Sequence, residues 1–254
     1  MQNKFLSDTE ERIPYLSVGD CPLASLVVLS FNRPQFLHQT IASLKRNTEY
    51  PHELIVVDDG SMDPANVEFL MRLYGAKELS TLVLNAGRNQ GVGASINRGF
   101  HAAHGKWLFK LDSDLEYRPQ WLEKAVAILE TFPEIGVLGL FRYWHDPCDW
   151  RKMLIRREER DGLVVQVAED QVGSTMAMSR ETYESHGDFI EGSYAFGADY
   201  EYKMALKRGG RWIALPDEDL VENFGFGLTT TSLRWKGEPV TVSKVPLIFG
   251  KGIS

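Results

Sequence analysis

A chain of 254 residues with 43% hydrophobic and 25% charged residues can bury a sizeable core, which excludes extended disorder and fits one α/β unit or two closely fused halves. No stretch reaches the roughly 20 apolar residues that cross a bilayer, and Met1 to Glu11 is too polar for a secretory signal, so a cytoplasmic protein is expected, with a peripheral place at the membrane left open. A net charge of −7 gives no basis for strong nonspecific nucleic-acid binding, and the two cysteines, Cys21 and Cys148, fit no metal-ligand spacing and read as unpaired thiols.

After a polar leader over 1–23, Ser25 to Ser30 (SLVVLS) has the short aliphatic, β-branched run of a buried parallel strand, and Asn32-Arg33-Pro34 stops it. Phe36, Leu37, Ile41 and Leu44 then recur at helical spacing behind Pro34, where a missing N–H is harmless. The pattern repeats. Glu53 to Val57 is a strand ending in Asp58-Asp59-Gly60-Ser61, and a helical stretch follows around Val67 to Leu73. Thr81 to Asn85 is the next strand, and Asn89 to Gly93 opens a helix through Ile96, Phe100 and Ala103. Trp107 to Leu111 (WLFKL) is a fourth strand, ending at Asp112-Ser113-Asp114. Such alternation predicts a mostly parallel sheet with right-handed crossovers.

The second half is less regular. Trp121 to Leu129 is an amphipathic helix, and Gly136 to Phe141 a strand. Residues 142–162 form a charged segment expected to contain loops. Val164 to Val167 and Ser174 to Ser179 are strands, and Tyr200 to Lys207 is a helix closed by Gly209-Gly210. The tail from Thr229 has no clear pattern.

Ligands of open parallel sheets gather beyond the carboxyl ends of the strands, and two of those ends carry paired acids, Asp58-Asp59 and Asp112/Asp114. Carboxylates converging on one rim repel each other unless a cation or hydrogen-bond donors neutralise them. Mg²⁺ or Mn²⁺, which take hard oxygen ligands, meet that need at the Asp112-Ser113-Asp114 turn and would also bridge a ligand's phosphates. Gly91-Val92-Gly93 reads as a turn before a helix and lacks the dinucleotide fingerprint, because position 96 is Ile.

Five features in order, LVVLSFNRPQFLHQTIASL, LIVVDDGS, NQGVGASINRGFHAAHGKWLFKLDSD, GSTMAMSRE and FGADYEYKMALKRGG, resemble glycosyltransferase family 2 across about Ala24 to Gly225. The resemblance implies the GT-A fold, a Rossmann-like α/β domain with a mostly parallel central sheet flanked by helices, and an inverting nucleotide-sugar glycosyltransferase. It assigns residues 24–115 to the nucleotide sugar, 116–228 to the acceptor and catalysis, and leaves 229–254 as a tail. By position it implies that the backbone from Ser30 to Asn32 lines the nucleotide pocket and that Asp59 reads the base or ribose. Arg88 and Gly91 to Asn97 flank the nucleotide. Asp112, with Ser113 beside it, faces the ribose or the metal shell, and Asp114 coordinates Mn²⁺ or Mg²⁺.

Inversion needs a base opposite the departing phosphate, and the resemblance implies Asp199, which also stands at a helix start where the macrodipole favours a carboxylate. A surround of Tyr194, Phe196 and Tyr200 would restore basicity that the helix start removes; the alternative is that Asp199 only caps the helix. Two departures from the family stand out. Ala198 replaces the Glu that many relatives place before the base, and no His follows the last strand, where Glu222 or Asn223 would have to supply a third metal ligand.

Arg151, Lys152, Arg156, Arg157 and Arg160 allow two readings, a lid over the phosphates or a solvated face. Tyr143, Trp144 and Trp150, beside His145, Asp146 and Asp149, are either an acceptor platform or core. The expected partners are a nucleotide-sugar donor, UDP by family habit, and a carbohydrate, lipid-linked or other hydroxyl acceptor. A sugar-phosphate nucleotidyltransferase is disfavoured because SFNRPQF lacks the glycine-rich loop that grips a triphosphate. A non-catalytic nucleotide-sugar binder would have no need of Asp199.

Overall fold

The computed structural model describes residues 17–18, 21–85, 89–142, 154–169, 175–192, 197–224, 234–235 and 238–239. A short ribbon of β1 (Ser17–Val18) and β2 (Cys21–Pro22) precedes the regular alternation of β3 (Ala24–Ser30), α1 (Pro34–Asn47), β4 (His52–Asp58), α2 (Pro64–Gly75), β5 (Thr81–Leu84), α3 (Val92–His101) and β6 (Trp107–Leu111). Then come β7 (Leu115–Tyr117), α4 (Trp121–Thr131), β8 (Ile135–Gly139), β9 (Leu154–Arg160), β10 (Leu163–Ala168), β11 (Met176–Ser179), α5 (Arg180–His186), α6 (Gly197–Arg208), β12 (Trp212–Pro216) and β13 (Val221–Asn223). A final two-residue pair, β14 (Arg234–Trp235) and β15 (Glu238–Pro239), stands apart from the main sheet.

Nine strands form one sheet in the order β5-β4-β3-β6-β11-β8-β12-β10-β9. Only β11 and β10 run against the others, so seven of the nine point the same way. Between β3 and β6 the strand order reverses, and the crevice at such a switch point is where open α/β sheets bind ligands.

Side-chain alternation explains the layers. Leu26, Val28, Leu54, Val56, Trp107, Phe109 and Leu111 join one apolar cluster with Leu37 and Ile41 of α1, Phe69 and Leu70 of α2, and Trp121 and Leu122 of α4. Their strand neighbours Val27, Ile55, Val57 and Leu108 face the other way, against Ile96 and Phe100 of α3, Tyr183 of α5, and Tyr202 and Leu206 of α6. Period-two strands thus bury both faces, with helices on each side. By this alternation Lys110 falls on the face covered by α3 and α6.

Local chemistry fixes the helix starts that border the switch point. Pro34 opens α1, while Asp63 caps α2 by accepting from the Ala65 N–H at 3.0 Å, with Pro64 at the next position. Close approach, in turn, explains Gly93 near the start of α3. A Cβ there would stand 2.2 Å from the Ile190 carbonyl oxygen and 3.3 Å from the Ala198 Cβ, so only glycine lets the segment before α6 pass α3. Gly93→Ala is therefore expected to destabilise the protein by about 1–3 kcal/mol, the usual range for overpacking. A chemical-denaturation midpoint equal to wild type would contradict this.

The segment expected to contain loops, 142–162, also contains the edge strand β9, joined to β10 by a hairpin turn at Asp161 (φ 50°) and Gly162 (φ 78°). Paired left-handed residues match the twist of a two-residue hairpin, and Asp-Gly is its usual sequence. Charge hid this strand: β9 reads LIRREER, with no apolar alternation to detect. Arg156 pairs with Glu158, Arg157 with Glu159, and Arg160 with Glu134. β9 is five strand spacings from β6, roughly 24 Å. Arg156, Arg157 and Arg160 thus form a solvated, ion-paired edge, and the lid reading is corrected for them. Arg151 and Lys152, and the aromatic group Tyr143, Trp144 and Trp150 with its polar neighbours, lie outside the described residues. Among the described residues no helix is long and apolar enough to cross a membrane.

Candidate active site at the strand ends

The carboxyl ends of β3, β4 and β6 carry three linked networks. At the end of β4, Asp58 accepts from the Ser61 N–H at 2.8 Å and from the side chains of Ser30 (3.2 Å), Ser61 (2.6 Å) and Asn66 (2.7 Å). Asn32, in left-handed backbone at φ 51°, receives the N–H groups of Met62 and Asp63 on its side-chain oxygen and donates its own N–H to Ser61. Ser30 and Asn32 therefore tie the first loop to the second and give the crevice a rigid floor.

Asp59 is turned the other way. Its carboxylate accepts from the Asn85 side chain and from the Gln90 and Gly91 N–H groups, each at 2.9 Å, and its residue is 7% exposed. Gly91, at φ 93°, is the N-cap of α3, so Asp59 holds the start of that helix against β4. Arg88 lies outside the described residues. Asn97 is occupied further along α3: its amide bridges the Phe189 carbonyl and the Glu191 carboxylate, and its oxygen receives the Phe189 N–H at 2.9 Å. Its contacts thus join the two halves of the chain.

The third network surrounds Asp112 to Asp114. Thr40 and Ser43 of α1, both buried, receive the backbone N–H groups of Leu115 and Tyr117, which anchors β7 just beyond the turn. β13 pairs with β7 so that Asn223 stands opposite Leu115. Asn223 then donates to one Asp114 oxygen at 3.1 Å, while Arg33 pairs with the other at 3.0 Å. Asp114 is 3% exposed, and burial pushes its carboxyl above the ordinary range despite Arg33. Ser113 is also buried, whereas Glu222 is exposed, so of the two candidates after the last strand it is Asn223 that reaches Asp114.

Lys110 links the two halves. Its ammonium lies 2.7 Å from an Asp112 oxygen and 3.6 Å from an Asp199 oxygen, at 2% exposure. Thr175, at the start of the antiparallel β11, donates to the other Asp112 oxygen at 2.7 Å. Burial opposes the charge on Lys110, yet the two carboxylates overcome it and push the ammonium up to about 12. Asp199, in the first turn of α6, is 5% exposed, and its second oxygen has no hydrogen-bond partner among the described residues. Of the expected aromatic surround, Tyr200 is 39% exposed and Tyr194 and Phe196 lie outside the described residues; a described charged neighbour of Asp199 is Lys110.

Sequence reasoning passed over Arg33, Lys110 and Thr175. The signal for Lys110 was visible: a lone cation in WLFKL, on a strand buried on both faces, demands a buried counter-charge. Arg33 and Thr175 lay inside quoted motifs but had no such mark.

Asp114 and Asn223 suit a hard cation only in part. A buried carboxylate favours one, but among the described residues no three His, Cys, Asp or Glu side chains gather to hold a metal. Further oxygen ligands would have to come from the diphosphate or water. A separate cleft of about 710 Å³ lies between α1 and α2, lined in part by His38, Glu68, Phe69 and Arg72. It touches the strand-end crevice only at the helix starts, and the paired acids are outside it.

Comparison with known proteins identifies the family and the fold. The family described as Glycosyl transferase family 2 matches residues 25–187. An uncharacterised glycosyltransferase of Haemophilus influenzae is 25% identical over 89% of this chain and 72% of its own length. An undecaprenyl-phosphate 4-deoxy-4-formamido-L-arabinose transferase of Proteus mirabilis is 34% identical over 42% of this chain and 33% of its own. Among solved structures, a mannosyltransferase of Pyrobaculum calidifontis in complex with GDP-Man and Mn²⁺ superposes with a TM-score of 0.57 at 17% identity, over 82% of this chain and 62% of that one. GalNAc-T7 with UDP, GalNAc and Mn²⁺ gives a TM-score of 0.63 at 17% identity, over 84% of this chain and 47% of that one. The chain thus spans less than two thirds of most of these proteins. The two solved structures share the GT-A fold with it.

Proposed function

This chain belongs to glycosyl transferase family 2, and from that premise we propose that it transfers a sugar, with inversion, from a nucleotide-diphosphate donor to an acceptor hydroxyl, with Asp199 as the general base. The observation that supports this reading most is the contact of Lys110 with both Asp112 and Asp199. A donor-side carboxylate and the candidate base thereby share one buried cation. An Asp199 that only capped a helix on the far side of the sheet would not reach Lys110.

In this reading the nucleotide lies along the ends of β3 and β4. Ser30 and Asn32 set the floor, and Asp59 shapes the wall by holding Gln90 and Gly91. Asn97 borders it by fixing the segment that leads to α6, and the family resemblance assigns Arg88 to the same flank. Asp112 and Ser113 face the ribose. Asp114, steadied by Asn223, would hold Mn²⁺ or Mg²⁺. Such a cation supplies charge neutralisation for the departing diphosphate. Asp199 receives the acceptor proton on the oxygen that Lys110 does not engage, and Lys110 holds that carboxylate in place. Ala198 leaves the place beside the base small, so acceptor contacts come from elsewhere. UDP is taken as the nucleotide, since GalNAc-T7 was solved with it; the GDP-Man of the mannosyltransferase is the alternative. A carbohydrate or lipid-linked acceptor that offers a hydroxyl fits a chain that works in the cytoplasm or at the membrane surface; the undecaprenyl phosphate in the name of one relative would instead accept on an ionised phosphate oxygen, which needs no base.

A thermal-shift screen of UDP-sugars and GDP-Man, with and without Mn²⁺, tests this. A ligand at 100 times its Kd stabilises by about 2.7 kcal/mol. One nucleotide class should raise Tm in a Mn²⁺-dependent way. No shift with any donor, or pyrophosphate release from a nucleoside triphosphate and a sugar phosphate, would refute the reading; a shift without turnover in wild type would favour a non-catalytic binder.

A further inference from the structure

We propose that Arg33 controls when the divalent cation binds: its guanidinium occupies Asp114 in the ligand-free protein, and the donor's diphosphate draws it away, so that cation and diphosphate bind as one event. This rests on the assignment of Asp114 as the cation ligand. It adds a residue and a coupling between the two ligands that the assignment does not contain.

Both Asp114 oxygens are engaged. Arg33 lies 3.0 Å from one, and the Asn223 amide 3.1 Å from the other. A dication and a guanidinium repel each other and cannot share a carboxylate this buried, since Asp114 is 3% exposed. Cation entry therefore requires Arg33 to leave. An ion alone would gain little by displacing it, because among the described residues no cluster of three acidic, histidine or cysteine side chains waits to complete its shell. Oxygens of a diphosphate would add ligands to its shell.

Arg33 is placed to make the exchange. It stands at the N-cap of α1, at the switch point between β3 and β6, with its guanidinium over the Phe36 ring at 4.4 Å. Its side chain is 31% exposed, so it is not locked in the core. One terminal nitrogen is buried and has no hydrogen-bond partner among the described residues, leaving a donor for an incoming acceptor. Guanidinium binds phosphate oxygens in pairs, so moving from one carboxylate oxygen to a diphosphate replaces one charge-assisted bond with two. Coupling of this kind is reciprocal: diphosphate raises cation affinity by the same factor that the cation raises diphosphate affinity.

Mn²⁺ binding to the full chain, followed by the EPR signal of free Mn²⁺, tests this without turnover. In wild type, saturating UDP should tighten Mn²⁺ binding by roughly tenfold or more, within the usual range of such couplings. Arg33→Met keeps the stem over Phe36 but removes the charge. It should bind Mn²⁺ alone roughly tenfold more tightly than wild type and show a smaller gain from UDP, with Arg33→Lys between the two. Arg33→Met binding Mn²⁺ alone no more tightly than wild type would overturn the proposal. So would wild type binding Mn²⁺ equally with and without UDP or GDP, a comparison that needs no variant. If wild type bound no Mn²⁺ with either nucleotide, the assignment of Asp114 would fall as well; tight, diphosphate-dependent binding indifferent to Arg33 would sink this proposal alone.

Discussion

Asp199→Asn is expected to lower kcat for sugar transfer by roughly 10²–10⁴-fold, the usual contribution of a positioned general base, while the KM for the donor stays near its wild-type value. Asparagine preserves the shape of the side chain and can still accept from Lys110, which retains its closer partner Asp112 at 2.7 Å. What it loses is the capacity to take a proton on the oxygen that has no hydrogen-bond partner among the described residues. The donor positions assigned to Asp112 and Asp114, and the wall that Asp59 holds, are left as they were. An equal rise in donor KM with unchanged kcat would mean that Asp199 binds the donor rather than the proton. Loss of stability comparable to the loss of activity would mean that it is a helix cap.

Lys110→Met should have the largest effect on stability. Removing one member of a buried charge group leaves its partners uncompensated, at about 3–5 kcal/mol, and here two carboxylates lose the same cation. Methionine fills the strand position, so the loss is electrostatic and not a cavity. Lys110 is raised from 10.5 to about 12 on folding, so its contribution is fully present below pH 10.5 and fades as pH rises through about 12. Denaturation of wild type should show stability falling across that window, and Lys110→Met should lack that fall. At pH 7 the variant should unfold at markedly lower denaturant. A change within about 0.5 kcal/mol, as for surface substitutions, would contradict the buried triad.

Much of this architecture was legible from spacing. SLVVLS, ELIVV and WLFKL are short apolar runs between helical periods, and they became β3, β4 and β6, with their acidic ends around one crevice. The helices from Pro34, around Val67 and through Ile96 followed from the same periodicity. What spacing missed depends on contacts between distant residues. β7 and β13 are three residues each, too short to show a period, yet their pairing brings Asn223 to Asp114. β12 and α5 likewise fell between the expected elements. β9 was hidden because its edge position lets Arg156 to Arg160 all be charged. Asn97, expected to flank the nucleotide, uses its amide on Phe189 and Glu191, contacts set by the path of a loop 92 residues further along that spacing could not show. The pairing of Lys110 with Asp199 needed the fold to put β6 beneath α6.

A crystal structure with Mn²⁺ and a non-hydrolysable donor analogue tests the shared crevice most directly. Electron density should place the ion on the Asp114 carboxylate and the sugar between it and Asp199, with the free Asp199 oxygen within about 2.6–3.2 Å of a water or hydroxyl facing the sugar carbon. An analogue bound elsewhere, in the cleft between α1 and α2 for example, or an Asp199 carboxylate shielded from the sugar, would contradict the account.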